Sequence, residues 1–186
     1  MKKDTIFSES ITYIQKKIKD VLDKVEIEDI ETIKRLFVNS NRIFVYGAGR
    51  SGLVAKAFAI RLVHLGFPTF VIGETITAPV QPGDLVFIVS GSGETIPAVM
   101  TAEISRNIGA KVISVTAKKD SEIAKFADIT LYISAWCNDA KRKKYAPLGT
   151  LFESSVWILL DGIVADLLES KNETEETMRK RHAILQ

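Results

Sequence analysis

The chain has 186 residues, 46% of them hydrophobic, and its 25 Lys and Arg nearly balance its 23 Asp and Glu, which leaves a formal charge of +2. This length suits one well-filled domain, the apolar content argues against disorder, and so small a charge demands neither a nucleic acid nor a membrane partner. The single cysteine, Cys137, cannot form an internal disulfide, and the N-terminus lacks the apolar core of a signal peptide, so a cytoplasmic protein is predicted.

The first forty residues show helical spacing of apolar side chains, interrupted at residues 26–29. One stripe runs from Ile11 to Val25 and a second from Ile30 to Phe37, which predicts two helices packed on the sheet or on a neighbouring subunit. Neither is a basic recognition helix, so DNA binding is not indicated. The chain is predicted to be a single domain, with N-terminal helices over residues 1–40 and an α/β core, a C-terminal helix and a tail over residues 41–186.

From residue 42 onwards, predicted strands alternate with predicted helices. The strands cover residues 42–46, 67–72, 85–89, 111–116 and 129–134, and the helices cover residues 51–65, 95–107 and 121–126. This alternation predicts an α/β fold with a five-stranded parallel sheet and helices on both faces. The helix over residues 51–65 is apolar around most of its circumference and is therefore expected to be largely buried.

Two glycine-rich loops follow the first and third strands, at the edge where such sheets bind ligands. The segment from Ser90 to Thr95 (SGSGET) leads into a helix, whose unpaired N–H groups and dipole favour a phosphate. The segment from Gly47 to Gly52 (GAGRSG) has the G-x-G-x-x-G dinucleotide pattern, with Glu74 about twenty residues further on, so a nicotinamide dehydrogenase is a competing interpretation. The second phosphate loop and the lack of room for a substrate domain favour a small phosphorylated ligand.

The rest of the chain is predicted to hold a polar connection, an apolar helix and a tail. Residues 135–149 contain the basic run from Lys141 to Lys144, which fits a solvated loop and a ligand lid equally well. The helix over residues 150–169 has almost no polar face and is expected to lie in an oligomer interface. Thr150 and Glu153 have capping-box spacing, so Glu153 could merely cap that helix. No metal site is predicted, because the two histidines and Cys137 lack ligand spacing.

Several of these motifs, in this order, resemble the sugar isomerase (SIS) family. They run from Gly47 to Gly52, Gly73 to Thr75, Ser90 to Thr95, Pro147 to Glu153 and Arg181 to Ala183. The last two are similar to the 6-phospho-3-hexuloisomerase branch, which interconverts 3-hexulose 6-phosphate and fructose 6-phosphate in the ribulose monophosphate pathway. The resemblance implies a flavodoxin-like fold, a homotetramer and no cofactor. The branches with a regulatory domain pair or an N-terminal DNA-binding domain fit less well, since the chain has room for neither.

The resemblance also implies roles for individual residues. Glu153 would be the general base that forms an enediol, and His182 would reach a site across a subunit boundary. From the chemistry of the sugar, in which only fructose 6-phosphate is mostly cyclic, ring opening is assigned to His182 as a hypothesis. His64 is expected to be structural, with a catalytic role as the weaker alternative, and Arg50 has two interpretations, a substrate contact or a surface ion pair. A sensor without turnover, or another phosphosugar isomerase such as an arabinose-5-phosphate isomerase, remains open. The predicted substrate-binding residues are Gly49, Arg50, Ser51, Ser90, Gly91, Ser92, Gly93, Glu94 and Thr95.

Overall fold

A computed structural model describes residues 5–136 and 140–184, and Cys137 lies outside these ranges. Its helices and strands follow the predicted order. They are α1 (Ile6–Leu22), α2 (Ile27–Asn39), β1 (Ile43–Gly47), α3 (Gly49–His64), β2 (Thr69–Val71), β3 (Leu85–Val89), α4 (Ile96–Ile108), β4 (Lys111–Thr116), a short 3-10 helix (Ile123–Phe126), β5 (Ile129–Tyr132), α5 (Ala140–Tyr145), α6 (Thr150–Ser170) and α7 (Glu175–Lys180). Among the described helices, none is long and apolar enough to cross a membrane.

The five strands form one parallel sheet in the order β2-β1-β3-β4-β5. This is the flavodoxin-like order, so the predicted fold class is confirmed. Gly47 at the end of β1 pairs with Val89 at the end of β3. Both glycine-rich loops therefore leave neighbouring strands at the same edge of the sheet. Since the chain turns in opposite directions after β1 and β3, a crevice opens between the two loops, as is usual at such a topological switch point.

Alternate side chains of the strands face two separate apolar cores, as the period of two in a strand requires. On one face Val45, Phe87 and Val115 pack against α2, α3 and α6, which close the larger core. On the other face Phe44, Val86 and Ile88 pack against α4 and the 3-10 helix. Both faces are covered, which confirms the predicted layering.

Three details differ from the sequence-based expectations. Helix α3 is not largely buried, because the Leu53 and Ile60 side chains are 64% and 51% exposed. The connection over residues 135–149 is not only a loop, since α5 lies within it. The tail contains a short helix, α7, whose Met178 is buried in the larger core. Sequence periodicity missed these features because a six-residue helix is too short to show a stripe, and because periodicity cannot tell a core face from an apolar surface.

Candidate active site

The loop from Ser90 to Thr95, here called the serine loop, is held from within by its own polar groups. The Ser90 side chain is buried, and its Oγ accepts a hydrogen bond from the Gly93 N–H at 3.2 Å. Ser92 Oγ accepts from the Glu94 N–H at 3.2 Å, and the Glu94 carboxylate pairs with Lys118 at 2.6 Å. This pairing lowers the pKa of Glu94 and turns its side chain towards Lys118.

These contacts narrow the set of groups that can meet a ligand. The Gly93 and Glu94 N–H groups are already used inside the loop, which departs from the expectation that both would bind a phosphate. Within the described part of the chain, the N–H groups of Gly91 and Ser92 make no hydrogen bond to another residue. They belong to the loop four and five residues before α4, and the Ser92 and Thr95 hydroxyls of the same loop lie 3.4 Å apart. Such a group of outward donors suits an anion.

The serine loop is also fixed from below by the chain that follows β4. The Gly91 carbonyl accepts from the Ala117 N–H at 3.0 Å, and the Gly93 carbonyl accepts from the Ile123 N–H at 3.0 Å. Gly93 has a φ of +65°, a conformation that favours glycine. The protein's own contacts therefore hold the loop in this conformation without a ligand, and such preorganisation reduces the entropy cost of binding.

Glu153 and Arg50 meet above the serine loop. Helix α6 begins after Gly149, which provides no side-chain cap, and the Thr150 hydroxyl donates to the Pro147 carbonyl at 2.6 Å. The capping-box interpretation of Glu153 is therefore wrong. Instead the Glu153 carboxylate accepts a hydrogen bond from Arg50 Nε, and its side chain is only 13% exposed, against 69% for Arg50. Arg50 is thus an ion-pair partner that orients a nearly buried carboxylate.

One cavity of about 440 Å³ brings the two loops and α6 together. Ser51 at the start of α3 and the Ser92 and Thr95 side chains line one side, and Glu153 lines the other. The Phe152 ring closes the floor, since a Cβ added to Gly91 would lie 3.0 Å from it. Five further lining residues come from the chain between β5 and α6, and the sequence-based prediction did not assign them to the substrate site. These are Ala135, Trp136, Arg142, Leu148 and Gly149.

Arg142 Nη1 donates to the Leu148 carbonyl at 3.3 Å, which ties α5 to the turn before α6. The basic run from Lys141 to Lys144 therefore sends one of its members into the cavity wall. Its position supports the lid interpretation for Arg142. The sequence signal was the run itself, but four neighbouring cations do not indicate which one faces inward.

The first and last glycines of the GAGRSG loop, Gly47 and Gly52, allow close packing of the backbone. A Cβ added to Gly52 would lie 2.4 Å from the Gly47 carbonyl oxygen, so α3 can approach β1 only because both residues lack side chains. Glu74, the acidic residue of the dinucleotide pattern, pairs instead with Lys56 at 2.6 Å, and both side chains are about half exposed. The nicotinamide interpretation thus loses the carboxylate that it needs for the ribose.

His182 does not line this cavity. Its ring stacks on His64, with 5.0 Å between ring centroids and 27° between ring planes. His64 ends α3, and Ser51 lies in the first turn of that helix, so the two are about 20 Å apart at 1.5 Å per residue. Burial lowers the pKa of His64, and the nearby His182 and Arg61 lower it further.

Among residues 5–136 and 140–184, no three His, Cys, Asp or Glu side chains are grouped closely enough to hold a metal ion. The absence of a metal and of a cofactor from the reaction stays a prediction.

Comparisons with known proteins agree with this geometry. The model of the SIS domain matches residues 36–155, which include both glycine loops and Glu153. The 3-hexulose-6-phosphate isomerase of Bacillus subtilis is 38% identical over 162 residues, 86% of this chain and 88% of that protein. The enzyme of the same name from Methanocaldococcus jannaschii is 35% identical over 148 residues, 80% of this chain and 79% of that protein.

A solved structure from Methanococcus jannaschii superimposes with a TM-score of 0.86 and 28% identity, covering 96% of this chain and 99% of that one. Its description infers 3-hexulose-6-phosphate isomerase as its molecular function. These features define a class of phosphosugar-binding domains. They are a five-stranded flavodoxin-like sheet, a serine loop at its switch point and an acidic residue facing that loop. The chain belongs to the SIS-domain family.

Proposed function

We propose that the protein is an isomerase that interconverts 3-hexulose 6-phosphate and fructose 6-phosphate. The observation that carries the proposal is the shared cavity, in which phosphate donors of the serine loop face the Glu153 carboxylate. Relatives at 35–38% identity that carry the name 3-hexulose-6-phosphate isomerase support this choice of substrate.

In the proposed mechanism the serine loop anchors the phosphate, and Ser51 with Thr95 bonds sugar hydroxyls. Glu153 then removes the proton on C3 of open-chain fructose 6-phosphate, which forms an enediolate between C2 and C3. The same carboxyl group returns the proton to C2, while the hydroxyl proton of O3 passes to O2, which leaves the carbonyl at C3. Arg50 Nε holds the Glu153 carboxylate, and the remaining N–H groups of the Arg50 guanidinium would stabilise the negative oxygen of the enediolate.

Ring opening is needed at only one end of this reaction. In 3-hexulose 6-phosphate the O6 atom carries the phosphate, and closure through O5 would give a strained four-membered ring, so this sugar is bound open-chain. Fructose 6-phosphate is mostly cyclic. We assign its ring opening to His182, and since His182 is remote from the cavity of its own chain, it acts on the sugar held by a neighbouring subunit.

Two exposed apolar faces support the predicted homotetramer. Leu53 of α3 and Trp157 and Ile158 of α6 are 64%, 47% and 49% exposed. On the opposite side of the sheet, α4 exposes an apolar stripe with a spacing of four residues, made of Ile96, Met100, Ile104 and Ile108. Two separate apolar faces are what a tetramer built from two kinds of dimer contact requires. A cytoplasmic location also stays a prediction.

The test is to incubate the protein with fructose 6-phosphate in deuterated water and to locate the deuterium by NMR. We expect deuterium at C3, and loss of this exchange in Glu153→Gln, with kcat about 10²–10⁴ lower. Glu169→Gln is the matched control, because Glu169 is exposed in the last turn of the same helix. Deuterium at C1 would indicate a different phosphosugar isomerase, and binding without any exchange would indicate a sensor.

A further inference from the structure

The chain after α6 is fastened to the C-terminal end of α3 by one arginine. The Arg181 guanidinium donates two hydrogen bonds to the Glu173 carboxylate, at 3.0 Å from Nη1 and 2.8 Å from Nη2. Nη1 also donates to the carbonyl of His64 at 2.9 Å, where α3 ends and its carbonyls lack helical partners. A two-pronged contact of this kind fixes direction as well as distance. We call Glu173, Thr177 and Arg181 the tail latch.

The surroundings are shaped for the tail latch. Gly66 follows α3 with a φ of +79°, and a Cβ there would lie 3.1 Å from Arg181 Cζ, so the missing side chain leaves room for the guanidinium. The Thr177 hydroxyl donates to the Glu173 carboxylate as well. Arg181 and Thr177 together lower the pKa of Glu173 to about 2, so this carboxylate is charged at neutral pH.

The tail latch ends one residue before His182. The His182 N–H donates to the Arg179 carbonyl at 3.1 Å, and its ring lies on the buried ring of His64. Nδ1 of His182 is 3.0 Å from the Ala183 carbonyl, which can only accept, so Nδ1 carries the proton and Nε2 is the basic atom. The ring therefore has a fixed neighbour on one face and a defined tautomer, although it follows the last helix of the chain.

We propose that the tail latch and His64 are positioning residues that hold the His182 imidazole in the orientation needed for ring opening in a neighbouring subunit. This inference rests on the proposed function, in which His182 has that role. The physical reason is that residues near a chain end are poorly ordered unless tied down. A misplacement of about 1 Å at a catalytic group can cost about a hundredfold in rate.

The test compares Arg181→Lys and Glu173→Gln with wild type, using fructose 6-phosphate as the substrate. Lys keeps the charge of Arg181 but loses the two-pronged contact. The matched controls are Arg179→Lys and Glu175→Gln, which alter a solvent-exposed pair 3.0 Å apart on α7, the short helix between Glu173 and Arg181. We expect the latch variants to lower kcat by about 10- to 100-fold with KM within about twofold, since the cavity is untouched. The control variants should stay within about twofold of wild type.

The loss of kcat in His182→Ala is the largest loss that the latch variants can cause. Since the tail latch acts through His182, adding Arg181→Lys to His182→Ala should cause no further loss. NMR of labelled histidines gives a second measurement that does not depend on turnover. In the wild type the pKa of His64 should lie below its ordinary value, and in the latch variants it should move back towards that value as the His182 ring departs.

Latch variants with wild-type kcat, or losses that add to that of His182→Ala, would overturn the inference. If His182→Ala is fully active while Glu153→Gln is inactive, the positioning role fails and the proposed isomerase stands. If the wild type binds fructose 6-phosphate without exchanging deuterium, the proposed function fails first. The positioning role then falls with it, even if the NMR titration still detects the stacked rings.

Discussion

Gly93 is the position where one added methyl group should do most damage to the serine loop. Its φ of +65° is unfavourable for any other residue, and the new Cβ would lie 2.4 Å from Ser121 Cβ and 2.9 Å from Thr116 Oγ1. Holding a non-glycine residue at this positive φ costs about 1–2 kcal/mol, and the overpacking costs about 1–3 kcal/mol. Gly93→Ala should therefore lower the free energy of unfolding by about 2–5 kcal/mol. For a chain of this size, that corresponds to a fall in Tm of roughly 4–20 °C.

Gly73→Ala is the matched control for this substitution. Gly73 has a φ of +98°, but no heavy atom lies within 4 Å of its ideal Cβ, so only the backbone term applies. Thermal unfolding should show the larger fall in Tm for Gly93→Ala, and calorimetry should show weaker binding of fructose 6-phosphate for that variant alone. Equal Tm values with unchanged affinity would refute the argument that the chain after β4 holds the loop rigidly.

Three further predictions concern the phosphate, the tail and the assembly. Ser92→Ala should weaken phosphosugar binding at least about tenfold, because a hydrogen bond to a charged group contributes about 1.5–3 kcal/mol. The fold should persist with Tm lowered by only about 2–4 °C, since the variant loses one exposed hydrogen bond from the Glu94 N–H. Calorimetry measures the affinity, and unaltered affinity would exclude Ser92 from the site. Since the pKa of Glu173 is lowered from 4.5 to about 2, its stabilising contribution is complete above pH 4.5 and is lost as the pH falls towards 2. The Tm difference between wild type and Glu173→Gln should therefore shrink over that range, and a constant difference would contradict it. Trp157→Glu should reduce the oligomer in sedimentation analysis, whereas wild-type sedimentation would show that the α3/α6 face is not an interface.

The sheet and its two loops could be predicted because their signals are local. Apolar runs of strand length and the glycine-rich segments after them are visible within ten residues of sequence, and the parallel topology follows from their alternation with helices. The outward donors of the serine loop were harder to predict. Ser90 and Ser92 have the same residue type, but only the folded loop shows that Ser90 bonds inward to Gly93.

Contacts between distant parts of the chain were beyond local patterns. Nothing in the sequence around Glu153 shows that Arg50, 103 positions earlier, would pair with it, and the local Thr150 spacing suggested a cap instead. The same holds for Arg181 and the end of α3, which are 117 positions apart. A charged residue pairs with whichever opposite charge lies near it in the folded protein. The sequence indicates such a pair directly when both residues lie on one helix at a spacing of three or four.

The close approach of Gly47 and Gly52 has a consequence for how this enzyme scaffold can diversify. A Cβ on Gly47 would lie 2.8 Å from Gly52 N, and one on Gly52 would meet the Gly47 carbonyl oxygen, so any larger residue must lift the first turn of α3 from the sheet. Ser51 and Arg50 would move with that turn, and the opening between them and the serine loop would widen. The width of the sugar-binding cavity therefore depends on Gly47 and Gly52, neither of which lines it. Substitutions at these two positions can adapt the cavity to a larger substrate without changing any residue that lines it.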